Sequence, residues 1–293
     1  MYVNAIEQVE QFTRPIHFIS RTYGGMVSPG TSTLFFVNED GVAITCKHVL
    51  EVIMQADSVN SSFDQFKGER DKLPKDGTFK RKLKELETKY KLKSDAIVQI
   101  KVQFVNSVID FGNIICYTHP TLDLAIIIFD GYKEKLYSSH ARFVKDTSNL
   151  KQGRSLCRLG YPFPEFSNFQ FNRITDDIEW TTTGNPHSPQ FPLDGIVTRF
   201  GGDSVQNLTI EMSTPGLRGQ SGGPLFNSEG LICGMQFMTS HLHLGFDLID
   251  KEVIFGGKKL NVTTDPFLHV GQCIHIDRIK EFLNQHNIKF YEA

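Results

Sequence analysis

Arg218-Gly219-Gln220-Ser221-Gly222-Gly223-Pro224-Leu225 is the stretch on which the reading of this 293-residue chain turns. A serine set among glycines fits a tight turn that exposes its Oγ, because glycine accepts backbone angles that other residues resist. The same turn lets the N–H groups of Gly219 and Ser221 converge on a developing oxyanion. Gly219-x-Ser221-x-Gly223 also matches a nucleophile elbow, which requires a helix directly after the serine and then an acid and a histidine. Here Pro224 and the glycines oppose a helix. A turn at Ser228-Glu229-Gly230 and an apolar run from Leu231 follow, which read as strand, turn, strand. The spacing therefore favours an all-β setting over the elbow.

Working outward, short β-branched and aromatic runs recur between turn residues: Thr33–Val37, Val42–Thr45, Ile97–Val105, Leu124–Phe129, Ile196–Phe200, Leu208–Met212 and Leu231–Phe237. This pattern predicts a mainly antiparallel β protein. Helical spacing predicts three helices, at 3–12, 78–92 and 278–286, the last capped by Asp277. With 40% hydrophobic and 22% charged residues, the chain has enough apolar surface for a core, which excludes disorder as its main state. A net charge of −2 gives no overall field for nucleic acid or membrane. The exception is residues 67–93, with 11 basic and 5 acidic residues, against 20 basic and 28 acidic elsewhere. That segment reads as a solvated helical insertion, with nucleic acid or an acidic partner as the sharper alternative. No apolar run is long enough to cross a membrane, and none at the start resembles a secretory signal. Five cysteines with no C-x-x-C pair suggest free thiols in a reducing, cytoplasmic setting, without a metal site or cofactor.

A serine nucleophile needs a base, and the base needs an orienting acid. His48 ends the run Val42-Ala43-Ile44-Thr45-Cys46-Lys47-His48, and Asp123 precedes the apolar run Leu124-Ala125-Ile126-Ile127. A carboxylate pressed against such a strand needs a partner. The order His48, Asp123, Ser221 is that of chymotrypsin-like double barrels. With Thr33-Leu34-Phe35-Phe36-Val37, Gly41–Val49, Asp123-Leu124-Ala125 and Gly219–Pro224, the chain resembles the trypsin-like serine proteases, nearest to their Deg-type branch. Leu159-Gly160-Tyr161-Pro162 and Asp194-Gly195-Ile196-Val197 add to the likeness. It runs from about residue 15 to the end, with insertions at 51–94, 163–192 and 240–268.

The resemblance implies two six-stranded antiparallel β-barrels with a C-terminal helix and a helical insertion. The first barrel would fall in 1–135 with the N-terminal helix, and the second in 136–293. It implies peptide-bond hydrolysis through an acyl-enzyme, with Ser221 as nucleophile, His48 as base and Asp123 as its orienting acid. No peptide-binding domain is expected after the protease. Pro215 stands where trypsin holds an aspartate, so cleavage after Arg or Lys loses its anchor. The run Gly234-Met235-Gln236-Phe237-Met238-Thr239 is expected to form one wall of the substrate pocket, where Met and Phe suggest an uncharged P1 side chain; the alternative is that Met235 and Phe237 fill the second barrel. His241 and His243 are alternatives that would meet an acidic P1 side chain. Gln220 replaces the acid that precedes the serine in digestive members, so activation by N-terminal trimming is not expected. The rival reading is a latent or non-catalytic module worked through a regulatory partner. The phenylalanines at 163, 166, 169 and 171 are expected to pack a loop rather than line a groove.

Overall fold

Two antiparallel sheets organise the chain, and the computed structural model describes residues 1–202, 206–245, 248–256, 258–264 and 267–293. After helix α1 (Val3–Val9) come β1 (Thr13–Thr22), β2 (Val27–Phe36) and β3 (Val42–Thr45). Two helices follow, α2 (Lys47–Arg70) and α3 (Phe79–Lys89), and then β4 (Ile97–Phe104), β5 (Asn113–Thr118) and β6 (Ala125–Asp130). The six strands lie in the order β4-β1-β2-β3-β6-β5. All four side chains of β3 are buried, as expected for a central strand covered on both faces. The edge strands β4 and β5 do not pair, so this barrel is a half-barrel sheet. Phe104, Phe111 and Phe129 pack there edge to face, with ring centroids 4.9–6.1 Å apart.

The second half contains β7 (Ser155–Gly160), β8 (Phe191–Gly202), β9 (Asn207–Met212), β10 (Pro224–Phe226), β11 (Ile232–His243) and β12 (Phe267–His275). Their order is β10-β7-β8-β9-β12-β11, and a β10–β11 pairing closes the ring. Closure removes the exposed edges that an open sheet must otherwise protect. One apolar core runs through both halves, from Leu34, Phe36 and Ile126 to Leu156, Ile210 and Ile274. This is the all-β chymotrypsin-like architecture, with a C-terminal helix α4 (Ile276–Gln285).

Several local expectations shift. Helix α2 begins at Lys47 and spans 24 residues, so His48 lies in a first helical turn rather than closing a strand. Phe63, Phe66, Leu86 and Val98 form a small core under the α2–α3 hairpin. The last helix starts two residues earlier than expected: His275, not Asp277, is its N-cap, accepting from the Asp277 N–H at 3.2 Å. The segment 163–192 contributes a small hairpin, Phe169–Asn172 with Asp177–Trp180. Phe166 is buried there with Ile19 and Ile178, with Phe169 packed against them, while Phe163 and Phe171 stay exposed. Within 240–268, Leu248–Phe255 pairs with Lys258–Thr264, and residues 246, 247, 257, 265 and 266 lie outside the described residues.

The two ends of the chain cross between halves. Next to α1, Tyr2 donates to Ser155 Oγ at 3.1 Å and meets Phe226 edge-on, both in the closed barrel. Lys289 and Tyr291 reach back to Glu39 of the half-barrel at 2.6 and 2.8 Å.

Candidate active site

Pairing of Thr45 with Ala125 across β3 and β6 brings His48 and Asp123 to the same end of the half-barrel. The His48 main-chain N–H donates to Asp123 Oδ1 at 2.9 Å, and its ring Nδ1 lies 2.6 Å from Oδ2. Burial alone would raise the Asp123 pKa, but the two bonds from His48 outweigh it and hold the carboxyl below its ordinary value. An ionised carboxylate has no proton to give, so the hydrogen between the two groups lies on Nδ1. The imidazole is about half exposed, at 48%.

The serine turn needs its glycines. Gly219 and Gly222 have φ of +95° and +87°. A Cβ on Gly222 would stand 2.0 Å from the Thr33 carbonyl oxygen, and one on Gly219 would stand 2.6 Å from that of Tyr161. The turn is fastened on two sides. Gly222 N–H donates to the Gln236 carbonyl, and Gln236 N–H to that of Gly223, each at 2.9 Å. From the half-barrel, Thr33 N–H donates to the Ser221 carbonyl at 3.0 Å and Thr33 Oγ1 to the Gly219 carbonyl at 2.9 Å. Gln220, fully buried, accepts from Leu217 N–H at 3.0 Å and donates to the Phe191 carbonyl at 3.1 Å. A neutral amide thus holds the position before the serine through hydrogen bonds alone. Among the described residues no acceptor is bonded to the Gly219 or Ser221 N–H, so both donors stay available.

His48 and Ser221 line one open cavity of about 550 Å³, together with Pro215, Gln236 and Phe237. No hydrogen bond yet joins the Ser221 hydroxyl to the imidazole among the described residues; such bonds are often long before substrate binds. Two expected pocket residues stand elsewhere. Met235 is wholly buried in the core, and Gly234 sits against the Ile274 carbonyl. Met238 and Thr239, from the run expected to form one wall, line the cavity with Gln236 and Phe237, and Leu217 and Arg218 join them. His241 also lines it, whereas His243 does not and accepts from Gly245 N–H.

Cys46 Sγ, a His48 ring nitrogen and an Asp123 oxygen lie within 4.8 Å of one another, a spacing that a metal ion also uses. Burial first, and the Asp123 charge second, push the Cys46 thiol well above its ordinary pKa. The thiol therefore keeps its proton, donates to the Gln236 carbonyl at 3.4 Å, and is a poor metal ligand. All five cysteines are free thiols. No helix among the described residues is long and apolar enough to cross a membrane.

A half-barrel that carries a histidine and its carboxylate, set against a closed barrel that carries a glycine-bound serine, defines a protein of the chymotrypsin-like class. The trypsin-like peptidase domain matches residues 31–235, more than two thirds of the sequence, and the chain belongs to that family. Among solved structures it is similar to the HtrA-type protease AlgW with tripeptide, at 12% identity and a TM-score of 0.47, over 98% of this chain and 65% of that one. A serine-to-alanine variant of AlgW with tripeptide gives 12% and 0.48, over 97% and 62%. The chain thus spans less than two thirds of the length of these structures. No curated protein matches it by sequence.

Proposed function

We propose that the chain is a serine endopeptidase in which Ser221 attacks the peptide carbonyl, His48 takes its proton and later gives it to the leaving amine, and Asp123 orients the imidazole. The Gly219 and Ser221 N–H groups receive the oxyanion, and water then releases the acyl group from Ser221. The observation that carries this reading is the His48 Nδ1–Asp123 contact of 2.6 Å at the rim of a cavity that also holds Ser221. Because Gln220 secures the serine turn through neutral hydrogen bonds, activity is expected without removal of N-terminal residues.

A fluorophosphonate probe tests the reading. Ser221 in the native, untrimmed chain should be labelled, and labelling should vanish on denaturation. Ser221→Ala should lower kcat by roughly 10⁴-fold while leaving the thermal transition in place. An unchanged rate in that variant removes the mechanism.

A further inference from the structure

Arg158, on β7 of the closed barrel, lies behind the cavity and is fully buried. Its Nη2 donates to the Thr214 carbonyl at 3.0 Å, to Thr214 Oγ1 at 2.6 Å and to the Pro215 carbonyl at 3.1 Å. Its Nη1 donates to Gln236 Oε1 at 2.7 Å, while Nε has no partner. Every acceptor is neutral; among the described residues no carboxylate pairs with this guanidinium. Burial lowers its pKa, yet arginine stays charged in proteins. A buried, uncompensated cation is costly, and a ligand that brings the counter-charge removes that cost.

Two glycines make room for this arrangement. A Cβ on Gly271 would stand 2.1 Å from Arg158 Nη1, and one on Gly216 would stand 2.2 Å from Gln236 Nε2. The Gln236 amide therefore lies between the guanidinium and the cavity wall. Its oxygen is held by Arg158, and its Nε2 gives one hydrogen to the Met238 carbonyl at 2.7 Å. Among the described residues the second Nε2 hydrogen has no acceptor, and Gln236 is 2% exposed at the cavity wall. The cavity lining contains Arg218, His48, His241 and His269 but no aspartate or glutamate.

We propose that this cavity takes an acidic P1 side chain, aspartate or glutamate, whose carboxylate accepts from Gln236 while Arg158 supplies the buried counter-charge behind it. Gln236 is then the residue that determines specificity, and Arg158 positions and polarises it. Met235 lies in the core and leaves this wall of the cavity to Gln236, Phe237 and Met238. The proposal rests on the endopeptidase reading and refines it.

The test is a series of internally quenched peptides identical except for Asp, Glu, Asn, Gln, Leu or Lys at P1. The acidic members should exceed the leucine and lysine members in kcat/KM by on the order of 100-fold. Arg158→Met should bring that ratio close to one, and Arg158→Lys should restore part of it. Because the ratio is taken within one preparation, a loss of folded protein cancels, which separates positioning from a structural role. If Arg158→Met does not fold, the wild-type series decides alone: a preference for leucine or lysine overturns the proposal. If neither cleavage nor probe labelling occurs, the endopeptidase reading fails instead. Binding of N-acyl peptides ending in Asp, Glu, Leu or Lys, read by fluorescence anisotropy, then still judges the pocket. Tighter binding of the acidic peptides, weakened by Arg158→Met, supports it, and equal affinities overturn it.

Discussion

At Asp123 two opposing effects meet, and their balance sets the chemistry of His48. Burial penalises the carboxylate, while the ring and main-chain N–H groups of His48 stabilise it and prevail. Asp123→Asn preserves the shape but presents an amide that can donate to Nδ1, which turns the imidazole to the wrong tautomer. Steady-state kinetics should then show kcat lower by roughly 10⁴-fold, with circular dichroism unchanged. Gly219 is the second sensitive point. A methyl group there meets the Tyr161 carbonyl at 2.6 Å, and the φ of +95° disfavours any side chain. Gly219→Ala should shift its N–H off target and lower kcat by about 10²–10³-fold, the usual cost of one oxyanion donor. The proposed triad, His48, Asp123 and Ser221, was named from the sequence because each residue sits in a short local signature that turn or strand chemistry explains. Arg158 was not, since a lone arginine inside an apolar strand shows its partners only when Thr214, Pro215 and Gln236 fold beside it.

At the scale of elements, the α2–α3 hairpin is a separate packing unit on the half-barrel. Phe66 is its fully buried centre, with Phe63, Tyr23 and Tyr90 rings 5.6–5.8 Å away. Phe66→Ala should destabilise the protein by about 3–5 kcal/mol in denaturant titrations. The sequence reading found α3 but not α2, although Val49, Ile53, Ala56, Phe63 and Phe66 follow a helical stripe. That stripe was masked because β3 runs straight into the helix without a capping side chain on Cys46. Strand β1 carries a different sensitivity. His17 is buried, stacked on Phe166 at 4.0 Å and bonded to Ser188 Oγ at 2.9 Å. Burial first, and His187 second, push its pKa from 6.5 down to about 4. Between those values the unfolded chain binds the proton and the folded one does not, so stability falls as pH drops from 6.5 towards 4 and is full above 6.5. The loss amounts to about 3 kcal/mol at most. His17→Gln should flatten that part of a plot of unfolding free energy against pH.

For the whole molecule, the decisive contact is where the two halves meet. His48 and Asp123 belong to the half-barrel, Ser221 to the closed barrel, and a shift between the halves would separate the proposed base from the proposed nucleophile. Thr33 spans the junction. Its N–H and hydroxyl hold the carbonyls of Ser221 and Gly219, and its oxygen accepts from Tyr161 N–H at 3.2 Å. Its own carbonyl accepts from Thr45 Oγ1 at 2.8 Å, one residue before the Cys46 that precedes α2. One threonine thus ties the serine turn to the strand that delivers the histidine. Thr33→Val keeps the shape and the main-chain bond but removes both hydroxyl bonds, leaving the buried Tyr161 N–H and Gly219 carbonyl without those partners. The variant should lose about 1–3 kcal/mol of stability. If Thr33 aligns the halves, kcat should fall by about 10-fold or more, because small misplacements of reacting groups are expensive. KM should hold, since the wall formed by Gln236 and Phe237 does not involve Thr33. Thr33→Ser restores the hydroxyl and should recover most of the rate. Equal rates in Thr33→Val and wild type, measured well below the thermal transition of both, would show that the barrels are aligned by their apolar core and their crossing chain ends instead.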